Sequence, residues 1–237
     1  MASLRSWGKV LVAALCSKTN REFYDRISPI YDQCFVTHKP HANTMAEILL
    51  EDCKGRGNKT LVLDLGCGTG LLSNILLSKG FEVLGIDISL ESLRLLQQRE
   101  PGINTIQADA TLLPFTDGSF HAVVSLGVWR HLSHPQRVIA EVARILEKNG
   151  ILIVGYFPPA IGGVIHQSNS PWYQLLARLY QFVIRKRGYV DHTDLSLEPR
   201  TVNWAENHFL RVITVDSGKR WRLIVAQGLR TAPSRRP

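Results

Sequence analysis

The sequence predicts an α/β protein built on a mostly parallel sheet, and three observations predict it. Short apolar runs alternate with helix-spaced amphipathic runs from Leu61 to Tyr156, the pattern of a parallel sheet covered by helices. The first run, Leu61 to Leu65, is apolar except for Asp64 and passes into Gly66, Gly68 and Gly70, with a helix-spaced run starting at Leu71. Strand, glycine loop and helix start form a cradle in which backbone N–H groups and a helix N-terminus meet a ligand. Near the C-terminus, Arg211 to Val215 and Trp221 to Ala226 flank Asp216-Ser217-Gly218, a hairpin signal that places an antiparallel pair at the sheet edge.

With 237 residues, 45% of them hydrophobic, the chain suits one domain with a full core. We read residues 1–21 as an N-terminal extension, 22–230 as the domain, 158–200 as an insertion within it and 231–237 as a mobile Pro/Arg tail. No apolar run approaches the roughly 20 residues of a membrane span. Cys16, Cys34, Cys53 and Cys67 lack the paired spacing of a zinc site. As free thiols they suit a reducing, cytoplasmic compartment. The net charge of +8 raises nucleic acid or an anionic surface as partners. No basic-aromatic interleaving of an RNA-binding module accompanies it, which argues against nucleic acid.

In order, residues 1–21 contain Arg5, Lys9, Lys18 and Arg21 but no acid. Leu4, Trp7, Leu11, Ala14 and Leu15 fall on one face of a helix; a targeting segment is the other reading. Glu22 to Asp32 carries Tyr24-Asp25 and Tyr31-Asp32, with Pro29 predicted to break it into a helix pair. His38 and His41 lack a third ligand, so we assign no metal and read them as surface or capping groups. His41 to Cys53 is helix-spaced and ends before the turn cluster Gly55-Arg56-Gly57-Asn58.

The core then runs as follows. Leu61 to Leu65 is a strand and Leu71 to Lys79 a helix stopped by Gly80. Phe81 to Ile86 is a strand ending at Asp87, and Ser89 caps a helix from Leu90 to Arg99. Ile103 to Gln107 and His121 to Leu126 are strands, Pro135 to Leu146 a helix, Leu146 to Gly150 a turn and Ile151 to Tyr156 a strand. Trp172 to Ile184 reads as a nearly apolar helix ending in Arg185-Lys186-Arg187, either a lid over a substrate or a packing helix. Glu198 to His208 is the last helix.

The glycine loop decides between ligands. A dinucleotide site needs a third glycine where this chain has Leu71. What stands here, Asp64-x-Gly66-x-Gly68-x-Gly70, resembles the first motif of the class I S-adenosylmethionine-dependent methyltransferases. Asp87, 23 residues after Asp64, is placed at a strand end to accept from ribose hydroxyls. Asp109-Ala110, Leu112-Leu113-Pro114-Phe115 and Ser119-Phe120 resemble the signature of the ubiquinone/menaquinone-biosynthesis type and its small-molecule relatives. His131-Leu132 matches a His-Leu pair common there, whereas His121 stands where an Asp is usual.

The resemblance implies a Rossmann-like seven-stranded sheet with S-adenosyl-L-methionine as cofactor. Asp64, Gly66, Cys67 and Gly68 would hold its methionine end and Asp87 with Ile88 the ribose. Asp109, Ala110 and apolar neighbours would take the adenine, with Leu126 beneath the sulfonium. The Tyr24/Tyr31 segment would cap the cofactor and line the acceptor entrance; as packing helices the same residues would only half-bury their rings. His131, Tyr24, Tyr31 and, from the insertion, His166 are the candidate bases, and Arg130 a candidate for stabilising a phenolate. The predicted reaction is methyl transfer by direct displacement to a small hydrophobic or aromatic acceptor, on carbon or oxygen. The aromatic insertion adds a possible peripheral membrane contact. The alternatives are an RNA or protein methyltransferase, favoured by the charge, and a non-catalytic cofactor-binding protein.

Overall fold

A computed structural model describes residues 3–34, 38–54, 60–156, 172, 175, 178–179, 182–183, 197–216 and 222–230. Its centre is a seven-stranded sheet: β1 (Leu61–Leu65), β2 (Glu82–Asp87), β3 (Asn104–Gln107), β4 (Phe120–Leu126), β5 (Leu146–Tyr156), β6 (Phe209–Asp216) and β7 (Arg222–Leu229). The order is β3-β2-β1-β4-β5-β7-β6. The first five strands pair in parallel, and β7 runs antiparallel to both β5 and β6.

Both faces are covered, which is why the central strands are apolar throughout rather than alternating. On β5, Ile151 and Ile153 pack toward α3 (Lys39–Asp52), α4 (Leu71–Ser78) and α5 (Leu90–Arg99), while Leu152 and Val154 pack toward α6 (Pro135–Ile145) and α7 (Leu197–His208). Chain order reverses between β1 and β4, so a crevice opens at the C-terminal ends of these strands.

A third cluster joins α1 (Leu4–Cys16) to α2 (Asn20–Cys34). Trp7, Val10, Ala13 and Ala14 are buried there, but Leu15 is 47% exposed. The packing stripe is thus rotated from the expected one, and α1 keeps an outward apolar edge. The larger correction is α2, which passes through Pro29 as a single helix. Pro29 removes one backbone donor. One residue earlier the Ser28 hydroxyl donates to the Tyr24 carbonyl at 2.6 Å and accepts from Ser92 Oγ at 2.6 Å, which holds this turn against α5.

The expected turn Leu146 to Gly150 instead begins β5. Its register slips between Phe120 and Ala122, so Leu146 opposes Phe120 while Ile151 opposes Ala122. Gly150 is required inside this irregularity, since a Cβ would stand 2.9 Å from the carbonyls of Glu147 and His121. Of the Trp172 to Ile184 segment, the described residues Trp172, Leu175, Arg178, Leu179, Phe182 and Val183 are helical. Apart from residues 197–200, which start α7, the rest of the insertion, His166 included, and the tail 231–237 lie outside the described residues, as does the hairpin turn at Ser217-Gly218.

Candidate functional site

A cavity of about 1000 Å³ opens at the C-terminal ends of β1, β2, β3 and β4, at the upper end of the range for small-molecule sites. Asp64, Gly66, Cys67, Gly68, Asp87, Ile88, Asp109, Ala110, Leu126, Tyr24, Tyr31 and His131 all line it. The residues picked from the sequence for the cofactor, with three of the candidate bases, therefore reach one space. Strand order sets their sequence across the mouth: Asp109 after β3, Asp87 ending β2, Asp64 and the glycine loop on β1, then Leu126 and His131 after β4.

The glycine loop is shaped by φ values of +74°, +54° and +95° at Gly66, Gly68 and Gly70, a region L-residues rarely adopt. A Cβ on Gly66 would stand 2.2 Å from Val128, and one on Gly70 would stand 2.2 Å from Leu96. The expectation that the loop offers its N–H groups to a ligand needs correction. Gly66 N and Cys67 N both donate to Ile86 O, Gly70 N donates to Cys67 O, and Gly68 N donates to Asp87 Oδ2 at 2.9 Å. A phosphate cradle keeps such amides for its anion; here a carboxylate has taken one. Cys67 turns its thiol inward, where an added Cβ on Gly85 would meet Sγ at 2.8 Å. Burial, with Asp64 and Asp87 nearby, pushes that thiol well up, so it packs rather than reacts.

The acids differ in how much capacity they keep. Asp87 Oδ1 accepts from Ser89 N at 2.8 Å and Oδ2 from Gly68 N, so each oxygen retains a lone pair for a hydroxyl donor. Burial raises its carboxyl above the usual range despite these amides. Asp64 Oδ2 accepts from the Ser73 hydroxyl at 2.6 Å, and burial lifts Asp64 to about 7. Asp109 is exposed at the rim. Its Oδ1 takes both the N–H and hydroxyl of Thr111 at 2.8 Å, which leaves Oδ2 for a ligand. The signature run after it has a mechanical role. Arg144 of α6 donates to the carbonyls of Leu113 and Phe115 and to Asp117, while Glu141 accepts from Leu113 N. These bonds pin the loop that carries Asp109.

Across the mouth, α2 forms the roof. Asp25 accepts from Ser89 Oγ and Glu91 N, and Asp32 accepts from Thr69 and pairs with Arg99. Tyr24 Oη stands 2.9 Å from Nδ1 of His131, and the Asn20 amide donates to the His131 carbonyl at 3.1 Å. Two residues chosen separately from the sequence thus meet. Tyr31 is different: burial, with Asp87 and Asp32 nearby, pushes its phenol up, so it stays protonated and serves as a donor rather than a base. His38, expected at the surface, is buried and lines the cavity beside Gly127. Burial and neighbouring His41 lower it to about 4, leaving a neutral imidazole at the acceptor end. No motif marks His38; only the fold brings α3 under the β4 loop. Arg130 is not among the residues lining the cavity. Among the described residues the one grouping with metal-ligand proximity, Asp52, Cys53 and His121, lies elsewhere, at the N-terminal end of β4.

The chemistry of this wall fits one cofactor. Besides its one carboxylate, S-adenosylmethionine presents an ammonium, a sulfonium, two ribose hydroxyls and an adenine amino group, and the strand ends present carboxylates to these cations and donors. Fold and site together resemble those of the class I S-adenosylmethionine-dependent methyltransferases. Residues 63–154 match the family model described as a methyltransferase domain. Over 135 residues the chain is 34% identical to a demethylmenaquinone methyltransferase of Renibacterium salmoninarum, covering 56% of each protein. It is 36% identical over 137 residues to a phosphatidylethanolamine N-methyltransferase of Cereibacter sphaeroides, covering 54% of this chain and 64% of that protein. The chain spans about half the length of the curated relatives it matches. Among solved structures it resembles the CurJ carbon methyltransferase (TM-score 0.60, 14% identity, 95% of this chain and 69% of that one). It also resembles a methyltransferase from Methanosarcina mazei (TM-score 0.52, 24% identity, 72% and 93%). These two likenesses are of fold.

Proposed function

We propose that the protein transfers a methyl group from S-adenosylmethionine to a small hydrophobic or aromatic acceptor, at carbon or oxygen. The observation that carries this is one cavity with carboxylates at the β1, β2 and β3 ends and Tyr24, His38, His131, Val128 and Leu132 toward the β4 end. In this reading Asp87 accepts from the ribose hydroxyls, Asp109 Oδ2 from the adenine amino group between Ile88 and Ala110, and Asp64 faces the ammonium. When bound, the cofactor supplies a methyl group already activated by positive sulfur. The protein then has to align the acceptor and keep water out. Leu126, Val128 and Leu132 give the acceptor an apolar wall. In this reading His131, whose Nδ1 and Nε2 lie 2.9 Å and 3.1 Å from Tyr24 Oη, takes a proton from a hydroxyl or a ring carbon.

The two named relatives carry different acceptors, a quinone precursor in one and a lipid amine in the other, so they support a methyltransferase without choosing the atom methylated. The test pairs calorimetry with labelling. We expect S-adenosylmethionine binding by the wild type and labelled methyl appearing in the lipid or small-metabolite fraction of a cell extract. Label confined to RNA or protein would overturn the acceptor class; binding with no label in any fraction would favour a non-catalytic protein.

A further inference from the structure

We infer that the protein docks on anionic membrane surfaces through α1 and the exposed helical residues Trp172, Leu175, Leu179 and Phe182. Neither the cofactor site nor the acceptor reading enters this argument.

The first observation is apolar. Trp172, Leu175, Leu179 and Phe182 are helical and 69%, 47%, 43% and 64% exposed. Their spacing of three, four and three residues puts them on one stripe, with exposed Arg178 at its margin. Single exposed hydrophobics are ordinary; four large ones in one stripe mark an interaction surface. Val183 packs on the α1–α2 cluster, so this stretch adjoins α1. There Val12 (58% exposed) shares an outward stripe with Arg5, Lys9 and Cys16, and Leu15 lies beside it.

The second observation is charge. Residues 1–21 hold Arg5, Lys9, Lys18 and Arg21, residues 157–190 hold Arg178, Arg185, Lys186 and Arg187, and neither stretch contains an acid. Together they hold eight of the 28 Lys and Arg residues and none of the 20 acids. Of these cations, Arg5 and Lys9 on α1 and Arg178 beside the stripe are exposed, so the apolar residues are flanked by positive charge.

These features select one occupant. Trp, Phe and Leu on a helix beside Lys and Arg suit the headgroup boundary of an anionic bilayer, with apolar groups inserting and cations meeting lipid phosphates. A second copy fits poorly, because a two-fold contact would set one cationic patch against the other. An exposed Leu-rich stripe likewise gives a nucleic acid nothing to read. No helix among the described residues is long and apolar enough to cross a membrane, so docking lies in the plane of the surface.

The test is co-sedimentation of the full chain with sucrose-loaded vesicles of phosphatidylcholine alone or mixed with phosphatidylglycerol. We expect binding at least about tenfold stronger to the mixed vesicles, falling as salt rises from ~0.1 M to ~1 M. Trp172→Ser with Phe182→Ser should weaken it about tenfold further, while cofactor affinity measured by calorimetry stays unchanged and reports an intact fold. Should that variant fail to fold, Arg5→Gln with Lys9→Gln should weaken binding to mixed vesicles, and brominated lipid should quench tryptophan emission of the wild type. No binding to mixed vesicles, equal binding to both kinds, or undiminished binding by a folded variant would overturn the proposal. So would a dimer, seen by light scattering, that the Trp172→Ser, Phe182→Ser pair dissolves in the absence of vesicle binding.

Discussion

Asp87 and Asp64 are both buried carboxylates, yet they make different demands on a ligand. Asp87 is held by two backbone amides and needs only hydroxyl donors to complete it. Its replacement by Ala should weaken S-adenosylmethionine binding about 100-fold in a calorimetric titration, given about 1.5–3 kcal/mol for a hydrogen bond to a charged group. Unchanged affinity would remove Asp87 from the site. Asp64 has a single hydroxyl donor, Ser73, and is raised from the ordinary 3.8 to about 7. Between those values the folded protein holds a proton that the unfolded chain has lost. Asp64 alone therefore lowers stability as pH rises across that window. A cationic ligand reverses this preference by favouring the ionised form. Cofactor affinity should thus climb roughly tenfold between pH 6 and pH 8, with proton release on binding at the lower pH. Asp64→Asn should flatten the profile; a profile equally steep in that variant would place the titration elsewhere.

At the scale of elements, α2 is the piece that turns an open crevice into a cavity. Its attachment to α5 runs through Asp25, Ser28 and Asp32 rather than through a large apolar face. The Arg99–Asp32 pair is half-exposed and worth only a fraction of a kcal/mol. Ser28 is buried and bonds in two directions, so Ser28→Ala should cost about 1–2 kcal/mol in urea denaturation by leaving the buried Ser92 hydroxyl short of a partner. Cofactor dissociation, followed by stopped flow, should quicken as the roof loosens. The strands, the glycine loop and the helix starts were legible because periodicity and glycine placement are local signals. Ser89 as the cap of α5 is one such case, accepting from Ser92 N at 3.1 Å. Pro29 was misread for a physical reason: helix-breaking is a local penalty, and the bonds that offset it come from α5, more than 60 residues away. The start of β5 failed similarly, since the slipped register with β4 follows from tertiary pairing. Tyr24, Tyr31 and His131 were legible as candidates, but not the 2.9 Å contact between Tyr24 and His131, nor the burial of His38.

Across the whole molecule, the two ends of the sheet have separate tasks. The C-terminal ends carry the cavity, while the N-terminal ends carry a polar clasp. His121 at the start of β4 bonds Asp52 of α3 at 2.9 Å, Asp52 accepts from Gln227 of β7 at 2.7 Å, and Glu147 of β5 lies 3.6 Å from the other imidazole nitrogen. Four elements are joined there by one buried ring. Five residues of strand separate His121 from Leu126 at the cavity, about 16 Å at about 3.3 Å per residue. An Asp at this position would set a carboxylate against Asp52 and Glu147. His121→Asp should therefore destabilise the protein by about 3–5 kcal/mol in urea denaturation, the cost of a buried charge without its partner. Asp52→Asn in the same chain should recover part of that loss by removing the like charge. Cofactor affinity in the folded fraction should stay within about fivefold of the wild type, because unit charges ~16 Å apart interact by only about 1 kcal/mol at an effective dielectric of about 20. A loss of affinity matching the loss of stability would show that the clasp and the cavity are coupled through β4.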